Sequence, residues 1–291
     1  MGFSKLQDII SISEKKNIDF WQVILQDDMN ERAVTAEESF DKMREMYRQM
    51  KESDASYDKS LISPSGLSGS DGEKLEIFSL GERLVGDFLS QVIARAVKMG
   101  ESNACMRRIV TAPTAGSCGV LPAVLITYEK QRGADEDEIV KSLFVAAGIG
   151  EVIATSASIS GAQGGCQAEI GSAAAMAAGA LTFLLGGSNK EIANSAALAI
   201  KNMLGLTCDP VAGLVEVPCV KRNAYGAVNA VVSAHLTGAG VYSKIPPDEV
   251  VDSMRRTGKL IPACLRETSQ EGLATTPTGT KIAQKMKSNN I

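Results

Sequence analysis

Between residues 145 and 240 the chain is dense in alanine and glycine. Residues this small let helix backbones approach one another closely, so the segment reads as a tightly packed helical core. Alternating strand patterns are hard to find, and aromatic residues make up only 4% of the chain. The expected fold class is all-α: a compact multi-helix domain with Gly-rich loops, preceded by a small helical N-terminal extension. The most apolar stretch, Gly171 to Gly187, carries no charge. It is shorter than the ~20 residues a membrane-spanning helix needs. It is read as a helix buried in a soluble core, and no membrane association is expected.

Residues 1–58 form the extension. Ile9, Ile10 and Ile12 precede a charged stretch, and Phe20, Trp21, Ile24 and Leu25 recur at helical spacing. Thr35 followed by Glu38 is a capping box, opening a helix through Arg48. This is the most charged part of the chain, and it is expected to be peripheral or partner-facing. Residues 59–291 form the second expected domain. It starts with loop chemistry in SPSGLSGSDG, from Ser63. Helices are expected over 78–99, 135–152, 168–186, 189–204, 223–242 and 247–257. No fixed-period repeat is present, which argues against a solenoid.

Three loops punctuate the helical core: TAPTAGSCG (111–119), SISGAQGGCQAE (158–169) and LTCDPVAGLVEVPCVKRN (206–223). Each ends near an expected helix start, where backbone N–H groups favour small anions. Nucleotide motifs are missing: Gly161, Gly164 and Gly165 do not make GxGxxG, and GxxxxGK[ST] and GxSxG are absent. The loops hold no lysine but Lys221, so no pyridoxal phosphate is expected. A net charge of −4 gives no reason to expect a nucleic-acid partner. The one histidine, His235, lies in apolar sequence. It reads first as a core residue and second as an active-site candidate.

Six cysteines occur, at positions 105, 118, 166, 208, 219 and 264. No secretory leader pattern is visible, so the expected compartment is a reducing cytoplasm. There cysteines serve as ligands, nucleophiles or small buried groups. Cys166, Cys208 and Cys219 are not in CxxC spacing, so a zinc ribbon is not expected. Each lies in or beside a glycine- or proline-containing loop. Cys105 sits in a polar segment, Cys118 in the 111–119 loop and Cys264 after Pro262.

GAQGGCQAEIG, LTCDPVAGLVEVPC and the following KRN resemble the ligand segments of the bacterial iron–sulfur L-serine dehydratases. SPSGLSG (63–69), TAPTAGSCG and GLATTPTG (272–279) resemble that family's other signatures, and the likeness runs from about residue 60 to residue 280. The resemblance implies a lyase that converts L-serine to pyruvate and ammonia. It implies that Cys166, Cys208 and Cys219 hold a [4Fe–4S] cluster, leaving one iron open as a Lewis acid for the leaving hydroxyl. Anchors for the substrate carboxylate are expected at Ser65, Gly66, Ser68, Gly69, Pro113, Thr114 and Gly116. Gly164 and Gly165 are expected to let backbone approach the cluster, and Asn223 to support the site from behind.

The resemblance covers only the catalytic half of the fused members. A separate β subunit is therefore expected, and the general base is left unassigned. Some fused members end in a cysteine that occupies the open iron, whereas this chain ends SNNI. Two rival readings stay open: a cluster-dependent cysteine desulfidase of related fold, and a non-enzymatic helical scaffold.

Overall fold

In the computed structural model, residues 2–81 and 84–288 are described, and the architecture there is all-α, with no β-strand. In chain order the helices are α1 (Leu6–Lys16), α2 (Phe20–Arg32), α3 (Ala36–Ala55), α4 (Asp71–Leu80), α5 (Gly86–Ala104), α6 (Val120–Arg132) and α7 (Glu136–Ser156). There follow the single turn α8 (Gly161–Gly164), α9 (Ser172–Leu184), α10 (Asn189–Met203), α11 (Cys219–Gly238), α12 (Pro247–Leu260) and α13 (Pro277–Ser288).

The uncharged 171–187 stretch becomes α9, the central helix. Residues Ser172 to Thr182 are buried on every side, because α6, α7, α10 and α11 all pack against it. Such enclosure needs small side chains. A Cβ on Gly179 would stand 2.1 Å from the Cδ1 of Ile149 on α7. Helix α7 is long and apolar enough to cross a membrane, but 67% of its apolar window is buried inside the protein, as in a core helix.

The N-terminal extension shares this core. Leu6, Ile9, Phe20, Ile24, Tyr47 and Met50 belong to the same buried cluster as α7 and α9. Phe40 stacks on Phe144 with ring centroids 6.0 Å apart, and the space beside Gly148 is filled by Ile24. The charged residues that made this region look peripheral lie on the outer face. Arg48 and Lys51 pair with Glu136, each at 2.9 Å. The change in composition near residue 58 is therefore a change of surface, not a gap in the core.

Other expectations shift at the element ends. The single helix expected over 78–99 is two helices, with α4 ending at Leu80 and α5 starting at Gly86. Ile77, Phe78 and Leu80 are exposed, so this apolar run does not belong to one core-facing stripe. The capping box at Thr35 is present, with Glu38 N–H donating to Thr35 Oγ1 at 3.2 Å. A π-helical turn, Gln167–Gly171, precedes α9, and α11 starts four residues before the expected position, at Cys219. Helix α6 escaped the pattern reading; Pro122 is tolerated within its first turn.

Candidate active site

Cys166 owes its position to a tight turn. Gly165 before it has φ +74°, and a Cβ there would stand 2.8 Å from the carbonyl oxygen of Leu206. Gln167 N–H donates to that same carbonyl at 3.0 Å, and Gln167 Oε1 accepts from Gly205 N–H at 2.9 Å. The first cysteine loop is thereby tied to the chain just before Cys208. Cys208 is then held from its other side: its N–H donates to the Leu265 carbonyl at 2.9 Å and its carbonyl accepts from Glu267 N–H at 2.7 Å. Cys219 is the first residue of α11.

These three cysteines are 2%, 3% and 7% exposed, respectively, so all three lie in protein rather than water. Cys166 and Cys208 hydrogen-bond to each other, and Cys219 lies within electrostatic reach of both. The bond from Cys208 lowers the Cys166 thiol pKa, with the Arg222 charge contributing in the same direction. The Cys208 thiol is raised by that same bond and by burial. Burial pushes the Cys219 thiol up to about 12. Arg222, one turn after Cys219 on α11, donates to the Thr207 carbonyl at 2.8 Å and to Asp209 Oδ1 at 3.1 Å. Asp209 also accepts from Leu273 N–H at 2.9 Å, which straps the 272–279 segment across the second cysteine loop.

Glu169 closes the group. Its Oε2 is 3.9 Å from Cys208 Sγ, and it hydrogen-bonds with Thr114. Burial raises its carboxyl pKa. Gly161 leaves room for this contact: a Cβ there would stand 2.9 Å from Glu169 Oε2 and 3.0 Å from Cys208 Sγ. Across the space, a Cβ on Gly116 would be 3.4 Å from Glu169 Oε1.

The donor set is soft, three buried free cysteines, which suits a thiolate-bound metal group. Among the described residues, no three His, Cys, Asp or Glu side chains are gathered closely enough to share one metal ion. Buried cysteines are the donor type an iron–sulfur group takes, and the Arg222 guanidinium beside Cys166 and Cys219 favours their thiolate forms.

Of the other expected residues, Pro113, Thr114 and Gly116 lie on the loop facing Glu169, with Pro113 in a cis peptide. Asn223 is 1% exposed and makes three hydrogen bonds: from Gly119 N–H to its Oδ1 at 2.8 Å, and from its Nδ2 to the carbonyls of Gly116 at 2.8 Å and Cys219 at 3.0 Å. It ties the 111–119 loop to the turn that carries Cys219. In the SPSGLSG loop the amides are engaged within the protein. Gly66 and Ser68 donate to Ser63, and Gly69 to Glu101 Oε1 at 3.1 Å. The loop reaches the site through Ser65, whose hydroxyl donates to the buried Glu216 carboxylate at 2.8 Å, three residues before Cys219.

Gly164 and Gly165 have local packing roles, and the core reading of His235 is corrected. Gly164 is small because Gly258 of α12 packs on it, its Cα being 3.0 Å from where a Gly258 Cβ would stand. Gly165 serves the turn described above. His235 is neither core nor site: it is exposed on the last turn of α11, while Cys219 opens the first. The two are sixteen residues apart in one helix, roughly 24 Å along its axis. Cys118 is fully buried and donates to the Met99 carbonyl, and Cys105 and Cys264 are half-buried. The last three residues of SNNI lie outside the described residues. Sequence reading missed Glu169, Arg222, Gly161 and Glu216. Glu169 and Arg222 did carry a signal, as charges inside or beside otherwise small-residue motifs.

The sequence model of the family described as "Serine dehydratase alpha chain" matches residues 15–274. A Bacillus subtilis (strain 168) protein named "Probable L-serine dehydratase, alpha chain" is 42% identical over 98% of this chain and 95% of its own length. "L-serine dehydratase, alpha chain" of Peptoniphilus asaccharolyticus is 40% identical, over 95% of each chain. "L-serine dehydratase TdcG" of Escherichia coli (strain K12) is 48% identical over 62% of this chain, which spans only 40% of that longer protein.

Proposed function

Since this chain belongs to the serine dehydratase alpha chain family, we propose that it is the catalytic chain of an L-serine dehydratase, a lyase that removes water from L-serine and releases pyruvate and ammonia. The observation that carries the reading is that buried Cys166, Cys208 and Cys219, from the 158–169 and 206–223 segments, lie within electrostatic reach of one another, with Arg222 beside Cys166 and Cys219. These cysteines would hold a [4Fe–4S] cluster. With three thiolates, one iron stays open and supplies a Lewis acid for the departing hydroxyl.

The remaining chemistry belongs to this chain's own residues. Arg222 lies beside Cys166 and Cys219 and offsets thiolate charge in a dry pocket. Thr114 and Gly116 stand against Glu169, and their loop would orient a small amino acid. Glu169 has its carboxyl in hydrogen-bond contact with Thr114. Its place beside Cys208 suits a group that steers the substrate's polar end. The words "alpha chain" in the relatives' names support a separate β chain that completes the enzyme.

Reconstitution of the chain with iron and sulfide under anaerobic conditions tests this. The visible absorbance of an iron–thiolate cluster should appear in the wild type and be lost in Cys166→Ser, Cys208→Ser and Cys219→Ser. With the β chain added, L-serine should give pyruvate. Release of sulfide from cysteine without pyruvate from serine would instead establish a desulfidase, and a colourless wild type would end the cluster reading.

A further inference from the structure

Helix α11 carries the site at its first turn, and its outer face is unusually apolar. Tyr225, Val232 and Leu236 are 73%, 45% and 36% exposed, with Val228 half-buried between them. These positions form one stripe at helical spacing. From Asn223 to Gly238 the helix carries no Asp, Glu, Lys or Arg. Hollows flank the stripe on both sides. One, of about 960 Å³, lies between α10 and α11 and runs up to Pro218 and Arg222. The other, of about 630 Å³, lies towards α4 and α5. An exposed apolar ridge between two hollows is what a packed interface requires, and isolated soluble chains rarely leave one open.

The rim says what covers it. Lys74, Lys201, Lys221 and Arg222 line the two hollows, against a single carboxylate, Asp71, which already bridges Lys74 and Lys221 at 2.8 and 3.0 Å. This patch is basic on a chain whose net charge is −4. A second copy fits poorly, because the stripe offers no carboxylate to the facing lysines. A different chain, with carboxylates flanking an apolar surface, complements both features. The larger hollow also borders the site, since Arg222 lines it and lies beside Cys166 and Cys219. We propose that the β chain docks on this outer face of α11, with an apolar surface seated on Tyr225 and Val232 and acidic residues against Lys201 and Lys221. The proposal rests on the reading that this chain acts with a β chain, and it says where that chain sits and why it can reach the cysteines.

The test uses the tagged full chain co-expressed with its own β chain, with association measured by sedimentation. Tyr225→Asp and Val232→Asp should each weaken association by at least about tenfold, and Lys201→Glu should weaken it and flatten its dependence on salt. Leu260→Asp is the surface control, since Leu260 is 82% exposed at the end of α12. It should leave association unchanged. Circular dichroism checks that each variant is folded; if an aspartate variant unfolds, Tyr225→Ser and Val232→Thr replace it and should weaken association less but measurably. Unchanged β binding in the folded variants would overturn the proposal. So would loss of chain–chain self-association with β binding intact, equal weakening by Leu260→Asp, or a wild-type pair that does not associate. Pyruvate production by the wild-type pair is assayed separately, so failure of the dehydratase reading is distinguishable from failure of the docking surface.

Discussion

Asn223 Nδ2 donates a 2.8 Å hydrogen bond to the Gly116 carbonyl, joining two segments 107 residues apart in the sequence. The same amide also holds the Cys219 carbonyl and accepts from Gly119 N–H. One side chain thus fixes the 111–119 loop against the helix turn that presents Cys219. Asn223→Ala would leave buried backbone groups without partners, at a cost of about 1–3 kcal/mol each. The expected outcome is a lower unfolding midpoint and faster loss of the cluster's visible absorbance in air. Asn223→Asp should rescue little, because a carboxylate keeps the acceptor for Gly119 but lacks the donor for the two carbonyls. Unchanged stability and cluster lifetime in the alanine variant would refute this role.

Arg222 adds to the lowering of the Cys166 thiol pKa. Cys166 is held below the usual thiol range first by its bond from Cys208 and then by the guanidinium. Removing the positive charge makes the thiolate harder to form, so Arg222→Gln should raise the pH at which Cys166 is alkylated in metal-free protein. Mass-spectrometric mapping of iodoacetamide labelling against pH reads the shift. A midpoint that stays put or falls would contradict the assignment.

Glu136 links the N-terminal helices to α7. Burial disfavours its charge, but hydrogen bonds from Lys51 and Arg48 outweigh this and hold its carboxyl below the ordinary 4.5. A depressed folded value means the carboxylate stabilises the protein fully above the unfolded value, and this is lost as pH falls through the folded one. Glu136→Gln should therefore be less stable than wild type at neutral pH, and the gap should close as the pH drops below the ordinary glutamate range. Denaturant midpoints at several pH values measure it; a gap that widens on acidification would be the wrong sign.

Gly179 marks how tightly α7 and α9 pack. With Ile149 Cδ1 at 2.1 Å from the site of an added Cβ, Gly179→Ala should destabilise the protein by about 1–3 kcal/mol through overpacking. Gly238, which has open space around the equivalent position, is the comparison. Gly238→Ala should be neutral or slightly stabilising, by up to about 1 kcal/mol. Equal effects at the two positions, read by thermal unfolding, would show that the close approach is not a constraint.

The sequence by itself determined the helical class, the capped start of α3, the central burial of the uncharged 171–187 segment and the loops that bear the cysteines. Those features depend on local terms: period, capping and the size of neighbouring side chains. Only the tertiary structure decided that the charged N-terminal helices share the main core, that α4 and α5 are separate, and that His235 lies a helix length from the cysteines. It alone brought Arg222 beside Cys166, Glu169 beside Cys208 and Glu216 under Ser65. Each of those last pairings joins segments distant in the chain, and their meeting is fixed by how helices pack through small residues, which no local window of sequence encodes.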